Sequence, residues 1–156
     1  MPWRPGTREG MGGTMEYTQS GDVILVRLYQ DEDLFEQLTR VADACDIQTG
    51  IVISGIGMLK QAELNFFVKN GEYSAVLFPE PMELVSMTGS IIRQDEDLHF
   101  HLHAVLARHT KEAVAGHLSK GKVNVTNEIA ILKTGAKASR KIDPATGLMA
   151  LSLGEE

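Results

Sequence analysis

All five histidines of this chain lie between positions 99 and 117, and four of them have a spacing that could hold a metal ion. The segment Leu98-His99-Phe100-His101-Leu102-His103-Ala104-Val105-Leu106 alternates as a β-strand does, with successive side chains on opposite faces. One face carries Leu98, Phe100, Leu102, Ala104 and Leu106, all apolar, and is expected to face a core. The other carries His99, His101, His103 and Val105. Residues i and i+2 of a strand start roughly 6.6 Å apart, so imidazoles at such positions can converge on one ion with bonds of about 2.0–2.1 Å.

A third ligand must come from another segment. His117, in Ala115-Gly116-His117-Leu118, is the natural candidate, because Gly116 would let the backbone approach closely. Three imidazoles leave a fourth position for water, ligand or substrate. Nitrogen donors suit zinc first, with copper, nickel and iron as alternatives. The competing reading is a polar surface or a subunit contact lined with histidines. His109 is expected in a turn on the surface. A hydrolytic use of such a metal would need a general acid or base beside it, and Glu83 and His99 are the candidates.

The secondary structure around these residues is legible in outline. Asp22–Tyr29 reads as a short strand buried on both faces. Asp31–Asp46 reads as a helix, because Leu34, Leu38, Val41 and Cys45 fall on one face and Asp33 with Glu36 resembles a capping box. Ile51–Ile53 reads as a buried strand running into a loop, Ser54-Gly55-Ile56-Gly57. A turn is the expected role of that loop, with close approach to an anion as the alternative, so Gly55 and Gly57 join Glu83 and His99 as candidate pocket residues. Ala62–Val68 alternates as a half-buried strand, and Asn70-Gly71 signals a tight hairpin into Tyr73–Phe78. Met82–Arg93 is a strand with Gly89 at a bulge or crowded contact, followed by an acidic turn at Asp95-Glu96-Asp97. Lys111–Leu118 reads as a connection with helical character, and Val123–Leu132 and Leu148–Leu153 read as strands.

One helix near the start and many strands joined by tight turns give an α/β chain of the α+β type, with a central, mostly antiparallel sheet and a few flanking helices. At 156 residues a single domain is expected, preceded by a Gly-, Pro- and Arg-rich arm over residues 1–15 in which Met11 or Met15 could be the true start. The one cysteine, Cys45, excludes an intrachain disulfide. No apolar run approaches the roughly 20 residues that span a bilayer, and residues 1–13 lack the apolar stretch of a secretory signal, so a cytoplasmic protein without a membrane partner is expected. The formal net charge of −6 argues against nucleic acid as the main partner. Only Lys133, Lys137, Arg140 and Lys141 form a locally basic stretch, expected to be a solvated loop.

Taken in order, Ser54-Gly55-Ile56-Gly57, Ala62-Glu63-Leu64, Met82 through Ser90, His101-Leu102-His103 and Gly116-His117-Leu118 resemble the plant and prokaryote conserved (PPC) family, a domain of unknown function also found in plant AT-hook nuclear proteins. The resemblance runs from about Tyr17 to Leu153 and makes 16–156 the PPC domain. It implies a homotrimer and a metal site at His101, His103 and His117, with His99 just before the family's usual pair. Two features depart from the plant pattern. Pro81-Met82-Glu83 keeps only the acid of the plant Arg-Phe-Glu stretch, and Arg4-Pro5-Gly6 is too short for an AT-hook. The expected function is a trimeric, zinc-binding domain that takes a small ligand or a protein partner near the metal. A metal-dependent hydrolase is the second expectation, and DNA binding by analogy with plant relatives the third.

Overall fold

The computed structural model describes residues 14–154. Most of the expected arm, including Arg4-Pro5-Gly6 and Met11, lies outside the described residues. Strands β1 (Glu16–Ser20) and β2 (Val23–Tyr29) form a hairpin, followed by helix α1 (Leu34–Ala44). The chain continues through β3 (Thr49–Lys69), β4 (Glu72–Phe78), β5 (Met82–Gln94), β6 (Asp97–Ala107) and β7 (Ala113–Thr134). A separate hairpin of β8 (Ala138–Ile142) and β9 (Met149–Leu153) ends the described chain.

Strands β1 to β7 make one antiparallel sheet in the order β1-β2-β7-β6-β5-β3-β4. A further antiparallel pairing of β7 with β3 closes the circuit β3-β5-β6-β7 on itself. The core lies inside this curled sheet and under α1. Leu34, Leu38, Val41 and Ala42 of α1 are fully buried, and so are Ile24, Leu28, Leu59, Met87, Ile91, Leu102 and Ile131 of the strands. Each large aliphatic side chain removed from water in this way stabilises the fold by about 1.5–3 kcal/mol before entropy is counted.

Helix α1 begins where expected. Asp33 takes an extended conformation and its carboxylate accepts hydrogen bonds from Phe35 N and Glu36 N, each at 3.0 Å. Glu36 does not complete a capping box; it pairs instead with Arg40 one turn on, at 2.7 Å. The antiparallel sheet is the one expected, but α1 is the single helix among the described residues, where a few flanking helices were expected.

Four local expectations are corrected by strand pairing. Strand β2 is not buried on both faces: Ile24, Val26 and Leu28 point inward while Val23 and Leu25 are exposed. Ser54–Gly57 is not a loop but the interior of β3, where Gly57 has φ +137° and a Cβ would lie 2.1 Å from the Thr126 carbonyl oxygen. Lys111–Leu118 is not helical; from Ala113 onward it is the first part of β7, paired with both β6 and β3. The basic stretch is not a loop but contains β8, with Arg140 only 5% exposed. For Ser54–Gly57 and Lys111–Leu118, hydrogen bonding to distant strands outweighs the local preference of the segment.

Candidate metal centre

The alternation of β6 works as its sequence implies. Leu102, Ala104 and Leu106 are buried, and His101 and His103 point to the other face. The third histidine arrives by register. His103 stands directly opposite His117 in the β6–β7 pair, while β3 holds the other edge of β7 with Asn65 opposite His117. Gly116 permits this closeness: a Cβ there would sit 3.0 Å from the Asn65 carbonyl oxygen.

The three rings meet with centroids 5.2 Å (His101–His103), 5.4 Å (His101–His117) and 5.6 Å (His103–His117) apart. One ligand nitrogen from each lies within 4.8 Å of the others. Nε2 of His101 and Nε2 of His103 are 3.3 Å apart. Metal–nitrogen bonds of about 2.0–2.1 Å place neighbouring donors of a tetrahedron roughly 3.3–3.4 Å apart, the spacing the His101–His103 pair already has, with the His117 donor within 4.8 Å of both.

The histidines open into a cavity of about 1030 Å³. Strand β7 pairs with β6 only over His103–Ala107, and the cavity runs along β6 beyond that pairing, past Leu98 and Phe100. The ring of Phe35 on α1 meets Phe100 edge-on at 5.6 Å. Enclosure by these walls pushes the imidazolium pKa of His101 down, and the charge of Arg140 pushes it further, followed by those of His103 and His117. Burial also lowers His117, with His103 as the second cause. Both effects favour neutral imidazole, the form that binds metal.

His99, half-buried, lines the same cavity but is not one of the three clustered residues. Glu83 is exposed and stands opposite Ala107, six residues along β6 from His101, away from the cavity. Gly55 packs on Met87 and Gly57 on the Thr126–Asn127 backbone, so neither reaches the histidines. His109 is exposed in the turn after β6. One cavity residue had no signal as such in the sequence. Arg140 read as one charge in a basic loop, but it lies buried at the cavity with its Nη2 donating to Ser90 Oγ at 2.7 Å.

The sequence profile of the Plants and Prokaryotes Conserved (PCC) domain matches residues 15–135. The chain belongs to this family. Among solved structures, the PCC chain is similar to a plant- and prokaryote-conserved protein from Pyrococcus horikoshii, with 27% identity, a TM-score of 0.75, and 94% of this chain and 98% of that one covered. A Bacteroides thetaiotaomicron protein provisionally assigned to DNA binding gives 26% identity and a TM-score of 0.80, over 90% of this chain and 99% of that one. The metal-containing protein AF0104 from Archaeoglobus fulgidus shares the fold at 24% identity and a TM-score of 0.75, over 91% and 98% of the two chains. In sequence, 97% of the PCC chain aligns at 30% identity with the bifunctional protein GlmU of a Synechococcus strain. The chain spans only 23% of the length of that relative, and 24% of a second GlmU from another strain.

Proposed function

We propose that this PCC domain is a zinc-binding, homotrimeric domain that takes a small ligand at the metal. The observation that carries the reading is the convergence of His101, His103 and His117, whose ligand atoms lie within 4.8 Å of one another at the wall of a large cavity. All three donors are imidazole nitrogens, a set that suits zinc and keeps one coordination position open. Bound there, zinc would supply a Lewis-acidic position for a ligand donor atom. The Archaeoglobus fulgidus relative, described as metal-containing, supports the assignment by analogy.

The trimer is supported by a row of exposed apolar side chains on the outer sheet face. Val23 on β2 and Ile51 on β3 flank the half-buried Leu132 of β7, with the exposed Leu25 and Ile53 beside them. An apolar sheet face of this kind is the usual mark of a covered surface. A cytoplasmic location is part of the same proposal; no helix among the described residues is long and apolar enough to cross a membrane.

Binding requires only the histidine cluster and the cavity and ranks first; hydrolysis ranks second, with His99, which lines the cavity outside the cluster, as its acid–base candidate in place of Glu83. DNA binding, suggested by the Bacteroides thetaiotaomicron relative, ranks third. The net charge is −6, Arg140 is buried, and Lys133 donates to the Cys45 carbonyl oxygen, so the basic stretch does not act as one exposed stripe.

The test is the zinc content per chain of untagged protein, by elemental analysis, for wild type and His101→Ala, with the mass measured by light scattering. About one zinc per chain, lost in the variant, and a mass three times 17.1 kDa are expected. Wild-type protein that stays zinc-free after zinc is offered overturns the metal reading.

A further inference from the structure

The hairpin β8–β9 lies beyond the part of the chain that matches the family profile, which ends at residue 135. It crosses the histidine side of the sheet. The backbone N–H of Arg140 donates to Gln94 Oε1 on β5 at 2.9 Å. At the far end of the hairpin, Gly147 abuts Asn70 in the β3–β4 turn so closely that a Cβ would lie 2.1 Å from its Oδ1. The hairpin therefore spans from β5 to the β3–β4 turn and places Arg140, Leu148 and Met149 in the cavity wall.

Ser90, which receives the Arg140 guanidinium, stands directly opposite His101 in the β5–β6 register. Directly opposed residues of an antiparallel pair point to the same face with Cβ atoms about 4.5–5.5 Å apart. The guanidinium is thus held beside the imidazole of His101. Arg140 is only 5% exposed, yet no carboxylate among the described residues pairs with it. A guanidinium has five N–H donors, and Ser90 engages one nitrogen of it. Arg140 lines the cavity, and its other nitrogens are not among the fully buried, unpartnered side-chain atoms, of which the Asn127 nitrogen is the one among the described residues. A buried cation without an anion is costly, and a planar fork of free donors is matched by an oxyanion.

We infer that Arg140, oriented by Ser90, is an anion-binding position beside the histidine triad, and that the cavity takes a small organic acid whose carboxylate lies on Arg140. The body of the acid lies along the apolar wall of Phe67, Tyr73 and Met149, where the first two rings already meet edge-on at 5.6 Å. The apolar wall is what selects an organic acid over a bare inorganic oxyanion. The inference rests on the preceding reading only in taking this cavity as the ligand site.

The experiment is calorimetric titration with benzoate, its neutral counterpart benzamide, and inorganic phosphate. It is run on zinc-treated and on chelator-treated protein, for wild type and Arg140→Gln, with circular dichroism as the check of folding. Benzoate is expected to bind wild type, to bind Arg140→Gln roughly tenfold or more weakly, and to bind wild type better than benzamide or phosphate by a similar factor. Equal binding of benzoate to wild type and a folded Arg140→Gln overturns the inference, as does no benzoate binding at millimolar concentration. Benzamide binding wild type as well as benzoate also overturns it, and that comparison needs no variant to fold. Phosphate binding as tightly as benzoate overturns the organic-acid assignment. Zinc content is measured separately on the same samples. If no zinc is taken up, the metal reading fails, and the titrations still decide the role of Arg140.

Discussion

A Cβ placed on Gly89 would fall 1.9 Å from the backbone carbonyl oxygen of His101, the residue next to its partner Leu102 across the β5–β6 pair. Gly89 also has φ +150°, a conformation that side chains with a Cβ rarely adopt. The backbone of His101 is thus packed against a position on the adjacent strand that only glycine fits. Gly89→Ala is expected to lose at least about 3 kcal/mol of stability, read by urea unfolding, because both the backbone angle and the contact must be relieved. It should also weaken zinc uptake, since β6 can yield only by moving His101. A variant with wild-type stability and zinc content would show that β6 gives way without cost.

The triad assignment separates the five histidines into classes. His101→Ala, His103→Ala and His117→Ala should each abolish stoichiometric zinc binding, because each takes one of three donors from the cluster. His109→Ala, in an exposed turn, should leave it unchanged. His99→Ala should keep the zinc as well, because His99 lines the cavity without joining the cluster. Elemental analysis of the five variants checks the pattern, and equal retention in all five would rule out histidine ligation.

The pH response follows from the lowered imidazolium values of His101 and His117. Below the ordinary histidine value of 6.5, the unfolded chain takes up protons at these two residues before the folded chain does. Proton binding then favours the unfolded state, so the metal-free protein should lose stability as pH falls through about 6.5 toward the lowered folded values. Above that range the contribution is constant. Zinc should be held at about pH 7 and released by about pH 5, as protons compete for the three nitrogens. Thermal melts with and without chelator, and zinc retention after dialysis at each pH, measure the two effects. Full zinc retention at the acid end would contradict imidazole ligation.

Nucleic acid offers a clean contrast. With a net charge of −6 and Arg140 buried, no saturable binding to a duplex of about 20 base pairs is expected below about 100 µM protein at physiological salt. Fluorescence anisotropy at several salt concentrations is the measurement. Micromolar binding with a steep salt slope would instead point to basic residues gathered from several copies of the chain.

Local periodicity and side-chain chemistry were enough for part of the fold and of the site. The alternation of Leu98–Leu106 put His101 and His103 on one face and Leu102 and Ala104 in the core. Asp33 announced the start of α1, and Asn70-Gly71 announced the β3–β4 hairpin. The antiparallel character of the sheet followed from many short runs separated by turns. The tertiary structure alone decided which distant residues share the cavity. His117 is near His103 because β7 pairs with β6 in one register, although the segment before it has the composition of a helical connection. Gly55 and Gly57 do not line the histidine cavity, because β3 continues through them as a strand packed on Met87 and on Thr126–Asn127. Arg140 turned from a surface charge into a buried one because its hairpin folds back over β5, some 50 residues away in sequence. Such pairings depend on hydrogen bonds and burial between segments distant in sequence; Gly116 beside His117 marked one of them, whereas nothing local marked the burial of Arg140.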